Sequence, residues 1–234
     1  MKAVLALLIA GKLGKFLLTG GTMLLSIFTY AIVYGWWYGV GIVVLLFIHE
    51  SGHYLAARQR GLDVGAPMFI PFVGAWIQLK EQPFDAETEA YIGIAGPMLG
   101  SAGAFVCYLV ARESGSDLLL ALSYVGFIIN LFNLIPITPL DGGRIVSVIS
   151  PRIWLLGIPI LIGVFIWIRS PLLLVIAIVA IPQAWKALQN RDVMESAYYR
   201  AAAKIRYQYA FQYLTLATLL SVMAFEVHEV LRLK

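Results

Sequence analysis

The chain has 234 residues, 61% of them hydrophobic and only 13% charged, with a formal net charge of +4. Soluble domains run at about 45–50% apolar and about 25% charged residues, so this composition excludes an ordinary soluble globule and points to a helical protein of the lipid bilayer. A single cysteine, Cys107, excludes an internal disulfide and reads as apolar packing; so small an excess of basic residues is no nucleic-acid signal.

Lys2, Lys12 and Lys15 border an apolar stretch that no small-residue cleavage site follows. Residues 1–20 therefore read as an interfacial N-terminal segment, helical over 2–18, and not as a cleaved signal. A span needs about 20 apolar residues. Residues 23–38 and 40–57 supply the first two, with Trp36, Trp37 and Tyr38 suited to an interface belt between them. The next stretch, DVGAPMFIPFVGAWIQLKEQPFD, has too much Gly and Pro for a helix. Residues 69–70, 72–73 and 75–79 suit two short strands around residues 71–74, a hairpin dipping into the membrane. Irregular backbone at that depth must be covered by protein or line a wet cavity.

Residues 87–111 form a third span whose small residues, GIAGPMLGSAGA, permit close helix contact. A fourth covers 118–135, and a fifth and sixth, 153–168 and 172–188, are joined by Arg169-Ser170-Pro171. Residues 209–227 suit either a seventh span or an amphipathic surface helix, and the lack of charge before Glu226 favours the span. The expected fold is an all-α polytopic membrane bundle: a core of six transmembrane helices with a membrane-embedded β-hairpin over 21–190, and a helical tail over 191–234. With the N-terminus in the cytoplasm, Arg58, Arg60, Lys80, Arg144, Arg152 and Lys186 all fall inside, and only Arg112 and Arg169 fall outside among the loops of the first six spans.

The chemistry lies in FIHESGHYLAARQRG. His49-Glu50-Ser51-Gly52-His53 matches H-E-x-x-H, which places two imidazoles on one helix face, able to share a metal, with Glu50 beside them as general base for a water. Ionisable groups in an apolar span are functional by default. A catalytic zinc takes three protein ligands and an open position. Residue 59, where a soluble relative of this motif has a third histidine, is Gln59, and His228 sits among charged tail residues. Asp63, Glu81, Asp85, Glu87 and Asp117 fall in loops or at helix ends, where water accounts for them. Asp141 does not: it follows LFNLIPITPL and precedes Gly142-Gly143, on a helix broken by Pro136 and Pro139. Asn133 and Asn130 share that apolar helix; each suits either a substrate carbonyl or a helix–helix hydrogen bond.

HESGH in the second span, GIAGP in the third and NLFNLIPITPLDGGR in the fourth, with the hairpin FIPFVGAWIQLKE between, resemble the site-2 protease family of intramembrane zinc metalloproteases, peptidase family M50. The resemblance covers residues from about 40 to 150, and the motifs in this order in a polytopic chain are specific. It implies one zinc held by His49, His53 and Asp141, water activated by Glu50, and substrate backbone bound by Asn133 and by hairpin residues Phe72, Val73, Gly74, Ala75 and Trp76. It further implies transmembrane or membrane-anchored protein substrates and a prokaryotic cell membrane, while the asymmetry of basic residues puts the active site toward the cytoplasmic side. Many relatives have an asparagine where this chain has Gly100, so that contact is absent or moved. A zinc hydrolase of prenylated C-termini would need further His or Glu ligands. An inactive metal-binding scaffold of the same fold is the alternative, against which the presence of all four core residues argues.

Overall fold

The long apolar runs satisfy their backbone by i to i−4 hydrogen bonds, lost only locally at Pro97, Pro159 and Pro182, and most of the chain is helical. The structure, a computed structural model, describes residues 2–72, 74–189 and 196–233. Helix α1 (Lys2–Tyr34) meets α2 (Trp36–Gln59) at Gly35, whose φ of 92° is readily available only to glycine. The turn falls before Trp36 instead of after Tyr38, so the Trp-Trp-Tyr triplet opens α2. Nor does the backbone break near residue 20. Each glycine in α1 lowers helix propensity by about 1 kcal/mol, but none turns the chain, and the expected interfacial helix runs on into the first long helix.

Strands β1 (Val64–Ile70) and β2 (Gly74–Leu79) form the expected hairpin, antiparallel, pairing Phe69 with Ala75 and Ile70 with Gly74. β1 begins earlier than its sequence suggests, with an irregular register between Val64 and Pro67, where proline cannot donate to the ladder. Its outer edge rests on α1. Phe69 N donates to Thr22 Oγ1 at 3.2 Å and Phe72 N donates to the Tyr30 hydroxyl at 3.0 Å. A helix thus covers one edge of the two-stranded sheet.

Helix α3 (Ala86–Ser114) starts at Asp85, whose carboxylate accepts from Thr88 N at 2.7 Å, and stops at Gly115 in the left-handed conformation. Helix α4 (Asp117–Asn133) ends just before IPITP, where Pro136 and Pro139 have no N–H with which to continue it. The chain restarts as α5 (Asp141–Ile149), so Asp141 opens a new helix and does not extend the one that carries Asn133. A 3₁₀ turn (Pro151–Ile153) leads to α6 (Trp154–Ile168) and then α7 (Pro171–Gln189). Beyond it, a 3₁₀ turn (Ala197–Tyr199) precedes α8 (Ala203–Arg232).

Among the described residues, Leu17–Tyr34, Trp36–Gln59, Ala86–Ser114 and Ala203–Arg232 are long and apolar enough to cross a membrane. The last contains the whole 209–227 run. Helix α4 and the stretches Pro151–Ile166 and Leu173–Pro182 are apolar but shorter. The 15 residues of α6 rise about 22 Å, less than the roughly 30 Å of a hydrocarbon core. Lipid supplies no hydrophobic drive between such helices, so close contact through small residues holds them. Gly52 shows the scale: a Cβ there would stand 2.3 Å from Ala95 O of α3. Helix α3 packs against α2, α4 and α5, and α8 closes the other side of α4 and α5. Phe127, Ala104, Ile145 and Leu220 are fully buried in the cluster they share.

Candidate metal centre

One turn apart on α2, His49 and His53 aim at the same point, their Nε2 atoms 3.1 Å apart. The break in the α4–α5 segment delivers Asp141 to that point. Its Oδ2 stands 3.1 Å from His49 Nε2 and 3.2 Å from His53 Nε2. All three side chains are buried, at 4%, 7% and 7% exposure for His49, His53 and Asp141. Residues nominated from two motifs about ninety positions apart therefore meet.

The outer nitrogens settle the tautomers. His53 Nδ1 lies 2.8 Å from Ile92 O, and a backbone carbonyl only accepts, so Nδ1 carries the proton and Nε2 presents a lone pair inward. Asn130 Nδ2 donates to Gly126 O at 2.7 Å, which turns Oδ1 toward His49 Nδ1 at 2.8 Å and selects the same tautomer there. Two nitrogen lone pairs and a carboxylate oxygen thus face one another across 3.1–3.2 Å with no proton between the nitrogens. A small dication satisfies such a set and hydrogen bonding does not. Tetrahedral zinc, bonded at about 2.0–2.1 Å, separates its ligand atoms by about 3.3 Å, close to the triangle found. The donors fit zinc.

Glu50 sits beside this triangle, its carboxylate within 4.8 Å of the imidazole nitrogens. Arg144, one turn after Asp141, approaches the other carboxylate oxygen, Oδ1, at 3.8 Å. The four core residues open on a cavity of about 700 Å³ that Asn133, Arg144, Glu89 and the hairpin also line. Glu89 accepts from the Tyr198 hydroxyl at 2.8 Å. Burial, then the Glu89 carboxylate, push that phenol above its usual range and keep it a donor.

Phe72, Gly74 and Ala75 line the cavity as well. Val73 lies outside the described residues, and Trp76 is described in its backbone alone, which pairs with Met68. The two asparagines part company. Buried Asn130 orients His49, whereas half-buried Asn133 lines the cavity and donates Nδ2 to Ile129 O at 3.1 Å. Sequence reasoning left them unseparated because they sit three residues apart on one helix, and only the packing of α4 fixes which of them faces α2. Gly100 is a usable signal after the fact: a Cβ there would stand 2.4 Å from Asn130 Oδ1, so the missing side chain makes room for this amide. His228 is exposed and lies against Tyr124 on α4, ring centres 5.6 Å apart, away from the metal triangle.

Gly96 has no such latitude. A Cβ there would fall 2.2 Å from His53 Nε2 and 2.3 Å from Cε1. Gly96→Ala is expected to displace the ring and strip the site of metal. Zinc content of the purified variant by atomic absorption reads this directly, and a full complement of zinc would mean that the ring has another place to go.

The model of peptidase family M50 matches residues 37–116 and 110–155, together just over half of the chain. The zinc metalloprotease MJ0392 of Methanocaldococcus jannaschii is 33% identical over 118 residues, which cover 47% of this chain and 34% of that protein. The probable chloroplastic zinc metalloprotease EGY1 of Arabidopsis thaliana is 37% identical over 67 residues, 26% of this chain and 12% of that one. The chain thus spans about a third, or less, of the length of these curated relatives. A solved site-2 protease from Methanocaldococcus jannaschii is 22% identical, with a TM-score of 0.44 over 77% of this chain and 87% of that one. Taken with the HESGH and LDGG residues that the matched region contains, the family match places this chain in peptidase family M50, the site-2 proteases.

Proposed function

We propose that this protein is an intramembrane zinc endopeptidase that hydrolyses peptide bonds within or near transmembrane segments of other membrane proteins. The observation that carries this reading is the convergence of His49, His53 and Asp141 beside Glu50 in a cavity shared with β2. His49 Nε2, His53 Nε2 and Asp141 Oδ2 would hold one zinc per chain. Bound there, zinc supplies polarisation of the scissile carbonyl and acidification of a water. Glu50 takes the proton of the attacking water and returns it to the leaving amine. Asn133 keeps an amide oxygen and a second N–H for the substrate backbone, and Arg144 holds Asp141 Oδ1 so that Oδ2 stays with the metal.

The substrate must arrive unwound, because a helix hides its peptide bonds in its own hydrogen bonds. Among the described residues β2 has one strand neighbour, β1, and it lines the cavity with Gly74, Ala75, Ile77 and Leu79. An extended substrate adding to its other edge would gain main-chain hydrogen bonds without demanding a sequence. In this reading the core crosses the bilayer six times with the hairpin inside it, α8 makes a seventh crossing, and the basic loops put the site toward the cytoplasm.

The full chain, reconstituted in liposomes with a substrate carrying one transmembrane helix, tests the proposal. Cleavage is expected to stop on chelation with 1,10-phenanthroline and to return with added zinc. A Gly-Pro pair placed in the substrate helix should raise the rate. Cleavage indifferent to chelator would overturn the metal mechanism, and zinc binding with no cleavage of any helix would favour the inactive scaffold.

A further inference from the structure

The match to the family ends at residue 155, yet the site leans on a residue far beyond it. The carbonyls that end a helix have no partner within it. At the end of α4 the usual donor to Leu134 O would be the N–H of Thr138, but the proline loop turns away, and Ile135 N and Ile137 N bond back to Phe132 O and Ile135 O. Leu134 is buried, so its carbonyl needs another donor. Tyr213 of α8 provides it: its hydroxyl donates to Leu134 O at 2.6 Å. The first turn of α5 also packs against this carbonyl. A Cβ on Gly142 would stand 2.2 Å from Leu134 O and 2.4 Å from Ile135 O. Leu134 O therefore meets both the Tyr213 hydroxyl and the residue next to the metal ligand Asp141. Trp154 Nε1, donating to Gly143 O at 2.8 Å, holds the same turn from α6. Below it, Leu220, Ala224 and Val227 of α8 share a buried cluster with Ile145 and Val148 of α5.

We infer that α8 is a working part of this metal centre and that Tyr213 is a positioning residue for Asp141. The hydroxyl fixes Leu134 O, the carbonyl seats Gly142, and the seat sets where Asp141 Oδ2 stands relative to the two imidazoles. The inference rests on the zinc reading above. Its range is set by one hydrogen bond and one backbone contact, so it predicts a change in metal affinity and not a collapse of the fold.

Tyr209 supplies the control. It lies one turn earlier on the same helix, is buried, and directs its hydroxyl to Glu87 O at 3.5 Å, away from the α4–α5 break. Tyr213→Phe and Tyr209→Phe, each made in the full chain, are titrated with zinc against a chelator of known affinity, and each is melted in its metal-free form. Tyr213→Phe is expected to bind zinc about fivefold more weakly, the loss of one buried hydrogen bond. Tyr209→Phe should bind as the wild type does, and the two metal-free variants should melt alike. Wild-type affinity in Tyr213→Phe overturns the inference, as does an equal loss in both variants, which would make α8 a general scaffold. Failure of the wild type to bind zinc overturns the metal centre itself and this inference with it.

Discussion

Glu50→Gln should keep its zinc and lose its proteolysis. Glutamine preserves the volume and leaves both imidazoles and Asp141 untouched, so none of the three donor atoms changes. What goes is the site that accepts a proton. General-base catalysis contributes about 10²–10⁴-fold, and the same carboxylate must also protonate the leaving amine, so the expected loss lies at or beyond the upper end. The amide can still hydrogen-bond the water, which argues against any loss of metal or substrate binding. Zinc content by atomic absorption and cleavage of a reconstituted transmembrane substrate, measured on the same preparation, separate the two quantities. Retained zinc with cleavage near the wild-type rate would remove Glu50 from the mechanism and send the search for the base to Glu89, the other carboxylate on the cavity that is not a metal ligand. Because the inactive variant would still seat its substrate, it is also the form in which to trap natural substrates from native membranes.

The long helices and the site residues were legible for different reasons. Helices followed from apolar run length, which bilayer thickness converts into element length, and only their joints moved. The turn at Gly35 was misplaced because the aromatic triplet beside it suits an interface equally well at the end of one helix or the start of the next. The site residues were legible because His49, Glu50, His53 and Asp141 are costly in apolar surroundings and need a reason to be there. What stayed hidden was whatever the backbone supplies. Ile92 O, which fixes the tautomer of His53, and Leu134 O, which seats Gly142, carry no side-chain signature. Asn130 was visible but not separable from Asn133 until packing gave α4 its rotational setting. Tyr213 was hidden most thoroughly, since a tyrosine in an apolar helix reads as interface or packing, and its partner lies 79 residues away.

Asp141→Ala tests the ligand set itself, and Asn130→Ala calibrates it. Asp141 supplies the single anionic donor among the three, so its removal leaves two neutral imidazoles and an opening where a carboxylate stood. Asn130 touches no metal position; it accepts the His49 Nδ1 proton and holds the ring in place. Losing an outer partner of this kind costs about 10–100-fold in metal affinity, and losing the ligand should cost more. The expected order of zinc affinity is therefore wild type, then Asn130→Ala, then Asp141→Ala, with the last retaining little metal through purification. A chelator-competition titration of all three proteins orders them on one scale. If Asp141→Ala bound zinc as the wild type does, the third ligand would have to come from elsewhere, and Glu50 would be the nearest carboxylate able to replace it. That outcome would also deprive the site of its base, since a carboxylate bound to the metal is no longer free to take a proton from water. The titration therefore decides whether Asp141 is the third ligand, and cleavage by Glu50→Gln decides separately whether Glu50 is the base.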